Sequence, residues 1–149
     1  MTRFKKWNNM AGWTAFAIAL VTYVMTVEPT ASFWDCGEFI ACAFKLQVPH
    51  PPGAPFFLLI GRIFSFLAFG DLTKVAYWVN MVSVLSSAFT IFFLFQTITI
   101  LAAKLIGKKE TEFELMDSVL VIASGIIGSL AFTWSDSFWY SASEAEVYG

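Results

Sequence analysis

The sequence predicts an all-α, polytopic membrane protein, and three observations carry that expectation. Hydrophobic residues make up 58% of the chain and charged residues 13%, against roughly 45–50% and 25% in soluble domains. The charges sit in short clusters between apolar runs, so the net charge of −2 describes no single surface. Two of those runs, residues 77–103 and 118–134, carry no charged side chain and are long enough to cross a bilayer. The sequence has no basic patch or nucleic-acid motif, which argues against nucleic acid as a partner.

The N-terminus carries Arg3, Lys5 and Lys6, then Trp7, then the uncharged run 11–27. That run is close to the short limit of a spanning helix, with Trp7, Trp13 and Tyr23 placed for the two interfaces. A cleaved signal peptide has the same outline, but Ala31 runs directly into Ser32-Phe33-Trp34 without a small-x-small cleavage pattern. An uncleaved helix with a cytoplasmic N-terminus is expected. Glu28-Pro29-Thr30 ends it, because proline does not continue a helix and restricts the residue before it.

Residues 32–47 predict a juxtamembrane helix, too short and too polar to span, with Ser32 as its N-cap and Asp35 at the capping-box position. Pro49-His50-Pro51-Pro52-Gly53 then forms a stiff link. Residues 54–69 predict a second juxtamembrane helix. This run holds Pro55, Gly61 and Arg62, and a mid-span arginine facing lipid costs roughly 2.5–3.5 kcal/mol. Residues 77–103 span. Lys104, Lys108 and Lys109 follow, mixed with Glu110, Glu112, Glu114 and Asp117. Residues 118–134 span again, with Gly125 and Gly128 as a small-residue face. Residues 135–149 begin an extracytoplasmic loop.

If 54–69 also spanned, there would be four crossings and the lysine cluster would lie outside, against the positive-inside rule. Three crossings return the lysines to the cytoplasm and let Arg62 reach the headgroups. Asp35, Glu38 and the terminal acidic stretch then share the extracytoplasmic side of the cell's inner, cytoplasmic membrane.

Asp35 and Glu38 stand at i and i+3, on one side of a helix. Such a pair can act as base and orienting group or hold a cation; it can also be a cap plus a solvated acid. His50, the sole histidine, can bind phosphate or shuttle a proton, or simply belong to a loop. Glu144 and Glu146 diverge on a helix and share a face on a strand. Cys36 and Cys42 do not share a helical face and match no zinc spacing.

The runs Phe33-Trp34-Asp35-Cys36-Gly37-Glu38-Phe39, His50-Pro51-Pro52-Gly53-Ala54-Pro55-Phe56-Phe57 and Trp139 to Tyr148, in that order, resemble the N-terminal part of the protein O-mannosyltransferase-like membrane family. That family includes bacterial members long carried as a domain of unknown function, within the wider GT-C glycosyltransferases. The resemblance implies a sugar, such as mannose, moved from a polyprenyl-phosphate donor to a protein hydroxyl or a glycan. It implies Asp35 as catalytic base with Glu38 as neighbour in the motif, although Cys36 and Gly37 separate acids that are adjacent in the superfamily. His50, with Arg62, would meet the lipid phosphate. Glu144, Glu146 and Tyr148 would form a second wall of the site. Membrane lipid, the lipid-linked sugar and the acceptor are the implied partners. No cofactor and no metal ligands are assigned, and a divalent ion is left open. Such enzymes are longer, so the chain reads as an N-terminal portion of one. The competing reading is a non-catalytic scaffold or assembly subunit, suggested by the Gly125 and Gly128 face. A transporter fragment ranks last, because the two clear later spans hold no charge.

Overall fold

A computed structural model describes residues 2–51 and 53–145. Those residues form helices and no strands, in the order α1 (Arg3–Thr26), α2 (Cys36–Lys45), α3 (Pro55–Ser65), α4 (Val75–Ile106), α5 (Leu115–Thr133) and α6 (Asp136–Ala142). Single 3₁₀ turns at Phe66–Ala68, Leu72–Lys74 and Glu110–Glu112 join them. Among the described residues three stretches are long and apolar enough to cross a membrane: Arg3–Thr26, Leu72–Ile106 and Leu115–Thr133. The chain is thus the all-α membrane protein expected, with three candidate spans. Large apolar side chains such as Met25, Phe93, Leu105 and Ile127 stand exposed on them, a pattern suited to lipid rather than water.

The chain divides into two compact units. The first comprises Met1–Ala19 and Ala88–Ser135. Here α1 and α4 meet through Trp13 on Phe92 (ring centroids 4.7 Å apart) and Phe16 on Phe89 (4.8 Å). Asn8 Nδ2 donates to Gln96 Oε1 at 2.9 Å, a polar clasp inside the apolar contact. α5 lies close on α4: a Cβ on Gly125 would stand 2.5 Å from Thr99 Cγ2, and one on Gly128 2.7 Å from Ile98 Cδ1. The small-residue face therefore receives side chains of this same chain. At one end of the unit Lys5 Nζ pairs with Glu110 Oε2 at 3.3 Å and Phe4 meets Phe113 edge-on. α5 starts on a capping box formed by Glu114 and Asp117, which satisfies two backbone donors at once.

The second unit comprises Leu20–Ser87 and Asp136–Gly149. Its core gathers Phe39, Ala43, Leu58, Val79 and Ala145. Gly61 lets α3 reach α2, since a Cβ there would lie 2.9 Å from Ala43 Cβ. The end of α1 is tied to the α6 region: Trp139 Nε1 donates to Thr26 Oγ1 at 2.9 Å, and the Glu28 N–H donates to the Ser143 carbonyl at 2.8 Å.

Two local expectations change. The first juxtamembrane helix begins at Cys36, not at residue 32, and Ser32 does not cap it. Trp34 adopts φ +59, a left-handed conformation that an α-helix does not carry, so the helix starts beyond it. The second is α3, which ends as α-helix at Ser65 and tightens into 3₁₀ geometry; its 11 residues span about 16 Å at 1.5 Å each, too short to cross.

Candidate functional site

Asp35, Glu38 and His50 come together at the N-terminus of α2. Asp35 is the N-cap residue, yet its side chain makes no cap hydrogen bond. Its carboxylate is free of the role that the sequence pattern most readily offers an acid at this position. Glu38 sits in the first turn, where the unpaired backbone N–H groups favour negative charge.

The chain returns to these acids through the end of α2. Leu46 takes a left-handed conformation (φ 52), and the Gln47 N–H donates to the Cys42 carbonyl at 2.9 Å, a closure that reverses the chain after a helix. A turn then closes with the Gly53 N–H donating to the His50 carbonyl at 3.0 Å. Gly53 has φ +74, a conformation that favours glycine. Pro51 follows His50 in this turn, at the position where a preset φ favours closure.

His50 is thereby held against Glu38 by two contacts. Its backbone N–H donates to Glu38 Oε1 at 2.7 Å, and its Nδ1 lies 2.9 Å from Glu38 Oε2. Nε2, the other ring nitrogen, stands 3.8 Å from Asp35 Oδ2. The Phe39 ring flanks the imidazole at 5.8 Å between centroids. All three side chains remain substantially exposed, and their ligand-type atoms lie within 4.8 Å of one another. The spacing would suit one divalent ion, and the imidazole Nδ1 faces the Glu38 carboxylate.

The side-chain hydrogen bond with Glu38 raises the pKa of His50. The same bond, with that from the His50 backbone, lowers the pKa of Glu38. The charged pair therefore persists between those two values. It is lost as pH rises through the raised His50 value, and as pH falls through the lowered Glu38 value.

Other expected site residues are placed differently. Arg62 donates from Nη1 to the Phe44 carbonyl and lies over the rings of Phe44 (5.2 Å) and Phe66 (4.6 Å). It fastens the C-terminal end of α2 to α3. Glu144 is buried, in the stretch that follows α6. Glu146 and Tyr148 lie outside the described residues. Asn80, which sequence reasoning passed over, is fully buried. Its Nδ2 donates to the carbonyls of Glu28 (2.7 Å) and Thr30 (3.1 Å), and Cys36 Sγ lies 3.8 Å from its Oδ1. An amide inside an otherwise uncharged apolar run was the available signal, since such a group needs partners.

An apolar groove of about 350 Å³ runs between the start of α3 and α4, with Pro55, Phe57, Ile60 and Val82 in its walls. Ser83, which also lines it, has a buried hydroxyl without a hydrogen-bond partner among the described residues.

Comparison with known proteins follows the same outline. The family model described as the protein O-mannosyl-transferase TMEM260 N-terminal domain matches residues 35–149. The protein O-mannosyl-transferase TMEM260 of Mus musculus is 31% identical over 134 residues, covering 89% of this chain and 16% of that protein. Its counterpart in Dictyostelium discoideum is 32% identical over 83 residues, covering 56% of this chain and 10% of that protein. The chain thus spans a small fraction of the length of the curated relatives it matches. No solved structure matches it. Because the family model covers more than half of the chain, the chain belongs to the protein O-mannosyl-transferase TMEM260 N-terminal domain family.

Proposed function

We propose that this chain carries the proton-accepting part of a membrane O-mannosyltransferase that takes mannose from a polyprenyl-phosphate donor. The acceptor is a protein hydroxyl or a glycan, on the extracytoplasmic face of the inner membrane. Asp35 takes the proton as the acceptor O–H bond breaks and the new bond to the sugar anomeric carbon forms. The bond from that carbon to the phosphate oxygen breaks, and its electron pair leaves with the lipid phosphate. Confining the donor to the membrane plane requires the base to stand at headgroup depth, on a short helix beside the spans. The donor phosphate binds on the His50 side, while Arg62 holds the end of α2 to α3; Glu144, Glu146 and Tyr148 are assigned to substrate binding by the family resemblance. The groove along α3 and α4 offers apolar walls to the isoprenoid tail.

One observation carries this reading: an uncapped, exposed Asp35 gathered with Glu38 and His50 into one patch. The names of the relatives agree with it. The scaffold reading rested on the Gly125 and Gly128 face, which residues of α4 already fill. The test is Asp35→Asn in the full-length gene product. Transfer of mannose to a peptide acceptor should fall by about 10²–10⁴-fold, with membrane expression unchanged. Wild-type activity in that variant would remove Asp35 from the mechanism.

A further inference from the structure

We infer that Glu38 is a positioning residue, acting through His50, and that His50 is the charge partner of Asp35; the role in catalysis rests on the proposed function above. Both oxygens of Glu38 are engaged by His50, one with its backbone N–H at 2.7 Å and one with Nδ1 at 2.9 Å. A carboxylate so occupied is poorly available to an incoming hydroxyl. Asp35, by contrast, makes no cap hydrogen bond, and its closest ring contact is Nε2 at 3.8 Å. The three groups form a line: carboxylate, imidazole, carboxylate.

The line has a physical consequence. An imidazolium donates from both nitrogens. With Nδ1–H committed to Glu38, the ring is fixed about its axis and Nε2–H is presented to Asp35. The Phe39 ring flanks the imidazole, and the turn closed by the Gly53 N–H fixes the His50 backbone. The charged groups acting on His50 are these two carboxylates; Arg62, on α3, is engaged at Phe44. The ring thus places a positive charge beside the Asp35 carboxylate, at the atom that would face an incoming hydroxyl. The distance of 3.8 Å is longer than a hydrogen bond, as is common before substrate binds. During transfer the acceptor proton passes to Asp35, the electron pair leaves with phosphate, and His50 keeps its own proton throughout. Glu38 is thus not a second base. It is the reason that His50 faces the first one.

The test has two arms, both on the full-length gene product in membranes. The first follows carbethoxylation of His50 by diethyl pyrocarbonate against pH, read by mass spectrometry on the tryptic peptide of residues 46–62. The midpoint should lie above the ordinary histidine range in the wild type and fall toward it in Glu38→Gln. An unchanged midpoint in Glu38→Gln would overturn the pairing. This arm needs no transferase activity, so it still decides the pairing if the O-mannosyltransferase reading fails. The second arm measures kinetics for Glu38→Gln, His50→Asn and the double variant. Each single change should lower kcat on the order of 10²-fold, and in Glu38→Gln, which does not touch the donor, KM for the donor should be nearly unchanged. The double variant should be no slower than the slower single one, because the two residues act as one unit. Multiplicative losses in the double variant would overturn the inference and make Glu38 an independent catalytic group. A wild type that transfers no mannose would sink the functional reading alone.

Discussion

Asn80 carries more of the site than its place in an apolar helix suggests. Its amide holds two carbonyls of the loop after α1 and stands beside the Cys36 thiol, one residue from Asp35. Removing it leaves two part-buried carbonyls without their amide donor, at no more than about 1–3 kcal/mol for each group left unpaired. Asn80→Ala should therefore loosen the start of α2 before it unfolds anything else. Cys36 is buried, so the rate of its maleimide labelling in a Cys42→Ser background reports that loosening. A marked acceleration is expected. An unaltered rate would mean that other contacts hold the loop. The partners of Asn80 lie about fifty positions away in sequence, beyond any local pattern. The same limit applied to Glu38 and His50: both were visible as candidates, but spacing alone favoured cap, solvated acid and loop residue over a shared site. The conformation of Trp34 was equally hidden, and it moved the helix start past Ser32.

At the scale of elements, the glycines of α5 were legible as a close-approach face, but the surface they meet was not. Gly125 meets Thr99 and Phe95, both fully buried. Thr99 is also pinned, because its Oγ1 donates to the Gln96 carbonyl at 3.0 Å and so turns Cγ2 toward Gly125. Gly128 meets the far end of Ile98, a partly exposed side chain with room to rotate. Equal substitutions should thus have unequal effects. Gly125→Ala should destabilise the protein by about 1–3 kcal/mol, the usual cost of overfilling a tight contact. Gly128→Ala should cost clearly less. Thermal unfolding in detergent, compared as Tm, checks the order. The reverse order, or equal losses, would mean that α4 and α5 separate easily and that close approach contributes little. Helix existence was readable here because uncharged length alone specifies a span, whereas the facing residue depends on rotation about the helix axis.

For the whole molecule the open question is sidedness, and the two units constrain it separately. In the first, the basic N-terminus meets the segment before α5 through Lys5 with Glu110 and Phe4 with Phe113. In the second, the end of α1 and the residues just after it meet α6 and the residue that follows it, through Thr26 with Trp139 and Glu28 with Ser143. These pairings are the ones that three crossings produce, the same number that charge bias and run length favoured over four. The positive-inside rule then assigns the lysine-bearing end to the cytoplasm. Single cysteines introduced at Ser137 and Lys108, in a Cys36→Ser, Cys42→Ser background of the full-length gene product, test that assignment. On intact cells a membrane-impermeant thiol reagent should label position 137 and spare 108, each read by peptide mass spectrometry. Labelling at 108 alone would invert the protein and place Asp35 in the cytoplasm. The donor would then have to present its sugar on the cytoplasmic leaflet, and the extracytoplasmic reaction would be abandoned even if Asp35 remained the base. Labelling at both positions would require an even number of crossings between them, against the single helix α5 that joins them, and would break the three-span architecture itself.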